Sequence, residues 1–263
     1  MKSASVGGDL FTMAGQVALV TGAAAGMGRE IARTYANLGA AVILADRDRP
    51  TCEALAAELV QQGHEAIALN AELGNAEAVS LLAEVALAWR GRVDTLVCNA
   101  GIVGPADPLC EADHEKWQTT FDVNLRSAVH LSAALIPSMA SRGTGSVILI
   151  SSIAGLRGNK SLGAYAMSKA ALAQLARNLA IQWGPAGVRA NAISPGLIRT
   201  AFSAQLMSDA AFLQRRLELT PLRRVGEAHE IAGVAVLLAS RAGGFITGQN
   251  IVVDGGTLVS DGS

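Results

Sequence analysis

Residues 16–30 read Gln16-Val17-Ala18-Leu19-Val20-Thr21-Gly22-Ala23-Ala24-Ala25-Gly26-Met27-Gly28-Arg29-Glu30, an apolar run that passes through three glycines into a helix-forming segment. The run predicts a strand and the following segment a helix, so the glycines fall in the turn that opens the helix. Glycines there let the backbone approach a pyrophosphate, and the helix N-terminus adds aligned N–H groups and the positive end of its dipole. A glycine trio alone also fits an ordinary tight turn. The deciding context is an acidic residue about twenty positions on, at the end of the next strand, and Asp46 in VILADRD fills that place. A carboxylate there can accept hydrogen bonds from the adenosine ribose and would repel a 2′-phosphate, which points to NAD. Arg47 beside it can pair with a phosphate, so NADP stays open.

Outward from this turn, short β-branched runs alternate with longer stretches rich in alanine and leucine. QVALVT, AAVILA, EAIALN, VDTLVC, GSVILIS, VRANAIS and QNIVVD are the seven candidate strands. Runs this continuous suit strands buried on both faces, hence a parallel sheet covered by helices on each side. With right-handed crossovers this is a doubly wound α/β fold of Rossmann type, one domain over 1–263. Helices are expected at about 26–38, 50–62, 75–90, 114–141, 163–183 and 227–239. Residues 195–226, PGLIRTAFSAQLMSDAAFLQRRLELTPLRRVG, interrupt the rhythm. Lying over the carboxyl ends of the strands, where ligands bind in such sheets, they read as a substrate lid, or more plainly as a surface insertion.

Composition narrows the function. The chain has 263 residues, 51% of them hydrophobic, 16% charged, with a formal net charge of −1. That supports a large core and argues against a nucleic-acid face, leaving a small molecule as the expected partner. The start lacks an apolar leader and no stretch reaches the length of an uncharged membrane span, so a soluble cytoplasmic protein is expected. Cys52, Cys98 and Cys110 are odd in number and form no C-x-x-C, and His64, His114, His130 and His229 make no ligand cluster. Reduced thiols and no metal site are the reading.

Tyr165 and Lys169 stand four apart in AYAMSKAALAQ, thirteen residues after Ser152 of ILISSIAG. On one helix, positions i and i+4 share a face, so the ammonium can lie near the phenol and favour phenolate. A tyrosine tuned in this way exchanges protons near neutral pH, although tyrosine–lysine pairs also occur on plain helix surfaces.

Together the T-G-x-x-x-G-x-G turn and the Ser…Y-x-x-x-K constellation resemble the short-chain dehydrogenases/reductases, and the agreement runs nearly end to end. Cys98-Asn99-Ala100-Gly101 resembles the family's N-N-A-G, Asn124 in DVNL its helix asparagine, and Asn191 to Gly196 its N-x-[IV]-x-P-G, while Asp254-Gly255-Gly256 matches its C-terminal strand end. The resemblance implies a seven-stranded sheet in the order 3-2-1-4-5-6-7. It also implies Ser152, Tyr165, Lys169 and Asn124 as the catalytic set, and cofactor contacts from Gly22, Gly26, Met27, Gly28, Asp46, Arg47, Glu72, Leu73, Asn99, Ala100, Gly101, Tyr165, Lys169, Pro195, Gly196, Ile198 and Thr200. Two departures stand out: Cys98 replaces the first asparagine of N-N-A-G, and Glu72 stands where the family has an aspartate.

The expected activity is NAD-dependent hydride transfer between the nicotinamide and a secondary alcohol or ketone. Tyr165 is the acid/base, Ser152 steadies the substrate oxygen, Lys169 supplies charge and, by resemblance, bonds the nicotinamide ribose, and Asn124 supports a proton relay or satisfies buried backbone. The rivals are an NADPH-dependent ketoacyl-thioester reductase of the same family and a non-catalytic dinucleotide sensor, which would not need the acid/base tyrosine. The substrate stays open among polyols, aromatic or alicyclic alcohols and thioesters. Ala154, Gly155, Phe202, Leu206, Met207, Phe212 and Leu213 are candidate apolar lining, while Arg157 and Lys160 could attract an anion or be merely solvated. The resemblance further implies a homotetramer, with the helices at 114–141 and 163–183 packing across one interface.

Overall fold

A computed structural model describes residues 10–105 and 113–260, so Cys110 and the first nine residues lie outside the described residues. Seven strands, β1 (Val17–Thr21), β2 (Ala41–Asp46), β3 (Ala66–Asn70), β4 (Thr95–Cys98), β5 (Gly145–Ile150), β6 (Val188–Pro195) and β7 (Asn250–Val253), form one sheet in the order β3-β2-β1-β4-β5-β6-β7. Every pairing is parallel. The expected doubly wound Rossmann architecture and strand order are both present. Alternate strand residues serve opposite faces, as the period of two requires. Ala18, Val20, Val42 and Leu44 pack on one side with Ile31 and Tyr35, Leu55 and Leu59, and Ile231 and Ala235. Val17, Leu19 and Ile43 pack on the other with Val79 and Leu82, Leu131 and Leu135, and Leu172 and Ala176.

The first group of covering residues belongs to α1 (Gly26–Asn37), α2 (Arg49–Gln61) and α9 (Ala228–Ala239). The second belongs to α3 (Ala76–Arg90), α5 (Ser127–Ser141) and α6 (Gly163–Trp183). Local chemistry sets their ends. Asp48 accepts the Thr51 amide at the start of α2 and Asn75 the Ala78 amide at the start of α3, which stops at Gly91 in the left-handed region (φ 71°).

Two details go beyond the expectations. The helix expected over 114–141 is present without a gap, but it contains a π-helical turn: α4 (His114–Phe121) leads through Asp122–Arg126 into α5. The 195–226 segment has secondary structure of its own. It holds a 3₁₀ turn (Ala201–Ser203) and two short helices, α7 (Ala204–Ser208) and α8 (Ala210–Glu218), neither with a buried residue. Among the described residues no helix is long and apolar enough to cross a membrane.

Candidate active site

β1 sits where the strand order turns back, with β2 on one side and β4 on the other, and a crevice opens beyond their carboxyl ends. The strand ends are tied together. Thr21 Oγ1 accepts from the amides of Asn99 (3.1 Å) and Ala100 (3.2 Å), and Asn99 Nδ2 donates to the carbonyls of Thr21 (3.0 Å) and Gly22 (3.1 Å). Gly22 has φ +67°, and a Cβ on it would lie 2.7 Å from that Asn99 nitrogen. A Cβ on Gly28 would lie 2.2 Å from the Gly22 carbonyl oxygen, so this position must be glycine for the turn to close on the helix.

The N-terminus of α1 has no side-chain cap and no acidic residue in its first turn. Its first amides are therefore left for an external acceptor, and a pyrophosphate is an acceptor of the right charge for the helix dipole. Asp46 spans from β2 to this turn: Oδ2 accepts from Ala24 N (3.1 Å) and Oδ1 from Asp48 N (3.0 Å). Each carboxylate oxygen has a second lone pair, so the group can hold the turn and still accept from a ligand hydroxyl.

The cleft above is lined by Gly22, Gly26 and Met27, by Asp46, Arg47, Glu72 and Leu73, by Asn99, Ala100 and Gly101, and by Tyr165, Lys169 and Thr200. Four other expected cofactor residues stand back from it. Gly28 is in the turn packing just described, and Pro195 and Gly196 end β6, where a Cβ on Gly196 would lie 2.8 Å from the Asp254 backbone. Ile198 is buried and bridges to Gly226. Cys98 is buried in the core between β4 and the second helix layer, and burial pushes its thiol up to about 12. Thr21 and Asn99 hold the turn at the end of β4, so the replaced asparagine is not needed for it.

Tyr165 stands at one wall of the cleft, its ring 6.3 Å from that of Phe202. Lys169 is 3% exposed, donates from Nζ to the Ile150 carbonyl (2.8 Å) and lies 5.6 Å from the Tyr165 ring centroid. Burial pushes the ammonium down to about 8, with Cys98 nearby acting in the opposite direction. Burial also raises Tyr165 above the ordinary phenol value, while Ser152 beside it works to lower it. The expected pull of Lys169 on the phenol is thus not the governing effect here. The ammonium is bonded to the Ile150 carbonyl, and desolvation of the phenol outweighs what Ser152 returns.

Ser152 lies two residues past the end of β5 and starts a 3₁₀ turn (Ile153–Leu156) by accepting the Ala154 amide (3.1 Å). Ser151, which lines the cleft where Ser152 does not, donates to the Lys169 carbonyl (2.6 Å). Asn124, buried in the π turn, accepts from Ile102 N (2.8 Å) and donates to Ile102 O (2.9 Å) and Ser168 Oγ (3.0 Å). It clasps the chain after Gly101 onto α6. Phe202, a candidate for the apolar lining, is indeed in the wall, whereas Ile102 and Ser168 were not among the expected site residues. Ser168 adjoins Lys169 in sequence, but only the folded backbone shows that it faces Asn124. Among the described residues no group of histidines, cysteines or carboxylates is arranged to hold a metal ion.

Comparison with known proteins bears on this geometry. A family model described as enoyl-(acyl carrier protein) reductase matches residues 22–257. The chain is 37% identical to dehydrogenase/reductase SDR family member 4 of Bos taurus over 243 residues, 92% of this chain and 87% of the relative. This chain is a short-chain dehydrogenase/reductase. Its similarity to the 7alpha-hydroxysteroid dehydrogenase of Escherichia coli K12 is 35% over 251 residues, 94% of this chain and 96% of that one. A gluconate 5-dehydrogenase from Burkholderia cenocepacia, solved with NADP and tartrate, superposes with a TM-score of 0.92 at 32% identity, covering 96% and 99% of the two chains. A 7alpha-hydroxysteroid dehydrogenase solved with NADH and 7-oxo glycochenodeoxycholic acid gives 0.90 at 35%, covering 94% and 96%. Short-chain dehydrogenases/reductases are oxidoreductases, and so is this chain.

Proposed function

We propose that this short-chain dehydrogenase/reductase oxidises a secondary alcohol, or reduces the corresponding ketone, with NAD as the preferred partner and Tyr165 as acid/base. The observation that carries the reading is one continuous cleft with an uncapped helix N-terminus behind the glycine turn at one end and Tyr165 with the buried Lys169 at the other. When bound, the nicotinamide supplies or accepts the hydride. The chain handles the rest. Tyr165 Oη takes the hydroxyl proton in oxidation and returns it in reduction. Ser152 donates to the substrate oxygen as charge develops on it, and Lys169 holds a positive charge beneath the phenol ring. Asn124 keeps Gly101 and Ile102 against α6, which fixes the floor under Lys169.

Preference for NAD rests on Asp46, fixed by two backbone amides where the adenosine ribose would lie. Relatives solved with NADP and with NADH occur side by side, and Arg47 at the rim is the group that would receive a 2′-phosphate. Relatives named for gluconate and for a hydroxysteroid favour a secondary alcohol over a thioester. Residues 195–226 are the proposed lid, and assembly into a homotetramer is part of the same reading.

The test is a panel of alcohols and ketones followed by absorbance of the reduced nicotinamide, with NAD and NADP in parallel. Wild-type protein is expected to turn over panel members faster with NAD. Tyr165→Phe is expected to bind NADH with unchanged affinity and lose nearly all turnover. Substantial activity in that variant would overturn the role of the tyrosine.

A further inference from the structure

Phe202 is a large aromatic side chain left 54% exposed beside the proposed acid/base. Its ring lies 6.3 Å from that of Tyr165 at an interplanar angle of 35°, within contact range for two aromatic rings, and both residues line the same cleft. The backbone on either side of Phe202 is pinned. Thr200 packs its methyl group over Gly26, where a Cβ would come within 3.1 Å of it, and Ser203 Oγ donates to the Ile198 carbonyl (2.5 Å). Phe202 is therefore held at the Tyr165 end of the cleft, although it belongs to the segment proposed as the lid.

Most side-chain polar groups at this end already have partners. Thr200 Oγ1 and Ser203 Oγ pair with each other (3.3 Å), Ser151 Oγ donates to the Lys169 carbonyl (2.6 Å), and the buried Lys169 ammonium donates to the Ile150 carbonyl (2.8 Å). The Asn124 amide is taken up by Ile102 and Ser168. Ser152 accepts the Ala154 amide but keeps its hydroxyl proton, and it stands beside the Tyr165 phenol. Tyr165 and Ser152 together serve one substrate oxygen. The other charged groups of the cleft wall are remote from it: Asp46 ends β2, three strand spacings or about 14 Å from the end of β5, and Glu72 follows β3, one spacing further. Arg157 and Lys160 are exposed to solvent. A second substrate hydroxyl brought to this end would give up water and find no free side-chain partner among the described residues, which is unfavourable. An apolar ring gains by the same move, because it covers Phe202 and releases water from both surfaces.

We infer that Phe202 sets the substrate specificity, and that the substrate carries its reacting oxygen on an apolar ring, as an alicyclic or benzylic alcohol or the corresponding ketone, and not among further hydroxyls. Which bond reacts rests on the hydride-transfer reading above; what the site selects does not.

The experiment compares alcohols of like skeleton: cyclohexanol against inositol, which share a six-membered ring, and 1-tetralol against glucitol as a second pair. Wild type with NAD is expected to favour the apolar member of each pair by at least about tenfold in kcat/KM. Phe202→Ala is expected to cut kcat/KM for cyclohexanol and 1-tetralol by about tenfold to a hundredfold, chiefly through KM, and Phe202→Leu to recover most of it. Thermal unfolding checks that both variants are folded. Equal or better use of the polyols by wild type, an unchanged kcat/KM for the apolar alcohols in Phe202→Ala, or a loss that Phe202→Leu does not recover would overturn the inference while leaving hydride transfer standing. Should none of the alcohols be oxidised, titration calorimetry of the same compounds on NADH-saturated protein decides independently. Binding of the apolar members alone, lost in Phe202→Ala and kept in Phe202→Leu, supports the role of Phe202, and binding without that selectivity, or no binding, overturns it.

Discussion

Lys169 shows what the proposed catalytic arrangement costs the fold. Its ammonium falls from 10.5 in free solution to about 8 because burial disfavours the charge. Below pH 8 both folded and unfolded chains carry the proton, and the penalty for burying it is fully present. Between about 8 and 10.5 the unfolded chain binds more protons, so this group makes stability rise with pH, and above that window the penalty is gone. Lys169→Met is therefore expected to be more stable than wild type at neutral pH by about 1–3 kcal/mol, with the gap closing towards the upper end of the window. Urea unfolding at both pH values measures it, and a gap that widens with pH would contradict the sign. Asn124 is the opposite case, with all three bonds satisfied. Asn124→Ala strands the Ile102 amide and carbonyl and is expected to cost about 2–4 kcal/mol in the same experiment. Asp46→Asn keeps the shape of the side chain and removes its charge, so the NADP-to-NAD ratio of kcat/KM is expected to rise by at least about tenfold. The identities of these residues were legible as spaced motifs. That desolvation dominates at Tyr165, and that Lys169 points to the Ile150 carbonyl, depends on backbone placement that no spacing encodes.

At the level of elements, legibility followed burial. VALVT and GSVILI are buried along their whole length, and such continuous apolar runs have few readings other than a central parallel strand. Helices α1 (Gly26–Asn37) and α6 (Gly163–Trp183) likewise fall within a residue of the expected 26–38 and 163–183. The π turn at Asp122–Arg126 was hidden because its cause is a tertiary clasp, Asn124 on Ile102 and Ser168. Helices α7 and α8 were hidden for the converse reason: without a buried residue they leave no core-facing pattern to read. The same fact predicts their motion. The segment is anchored before α7 by Ser203, which donates to the Ile198 carbonyl, and after α8 by Thr220 on Thr257 (3.0 Å). Between these anchors few apolar contacts resist opening, so the amides of 204–218 are expected to exchange at least about tenfold faster than those of α6, and to slow when NADH and a substrate analogue are both bound. Hydrogen exchange followed by mass spectrometry reads this directly, and exchange as slow as that of α6 in the free protein would argue for a fixed insertion rather than a lid.

The whole molecule is less self-contained than its central strands. β7 closes one edge of the sheet and is only partly covered, with Val252 41% exposed, and Phe245 and Val259 nearby in sequence are more open still. On α6, Ile181 is 82% exposed although the opposite side of that helix is core. Scattered apolar residues on a surface need no explanation, but an edge strand bordered by large exposed side chains is a surface that a second copy of the chain can cover. In a closed assembly with two-fold axes the same patch meets itself, so one substitution is felt twice at each interface. Ile181→Glu and Val252→Glu each place facing carboxylates at such a contact, while in an isolated subunit both side chains would simply enter water. Light scattering at micromolar concentration is therefore expected to give a tetramer for wild type and a dimer or monomer for each variant, with urea unfolding becoming independent of protein concentration once the subunits separate. If wild type is itself a monomer, or if both variants stay tetrameric, these faces are ordinary solvent-exposed surface and the assembly, if there is one, uses other contacts.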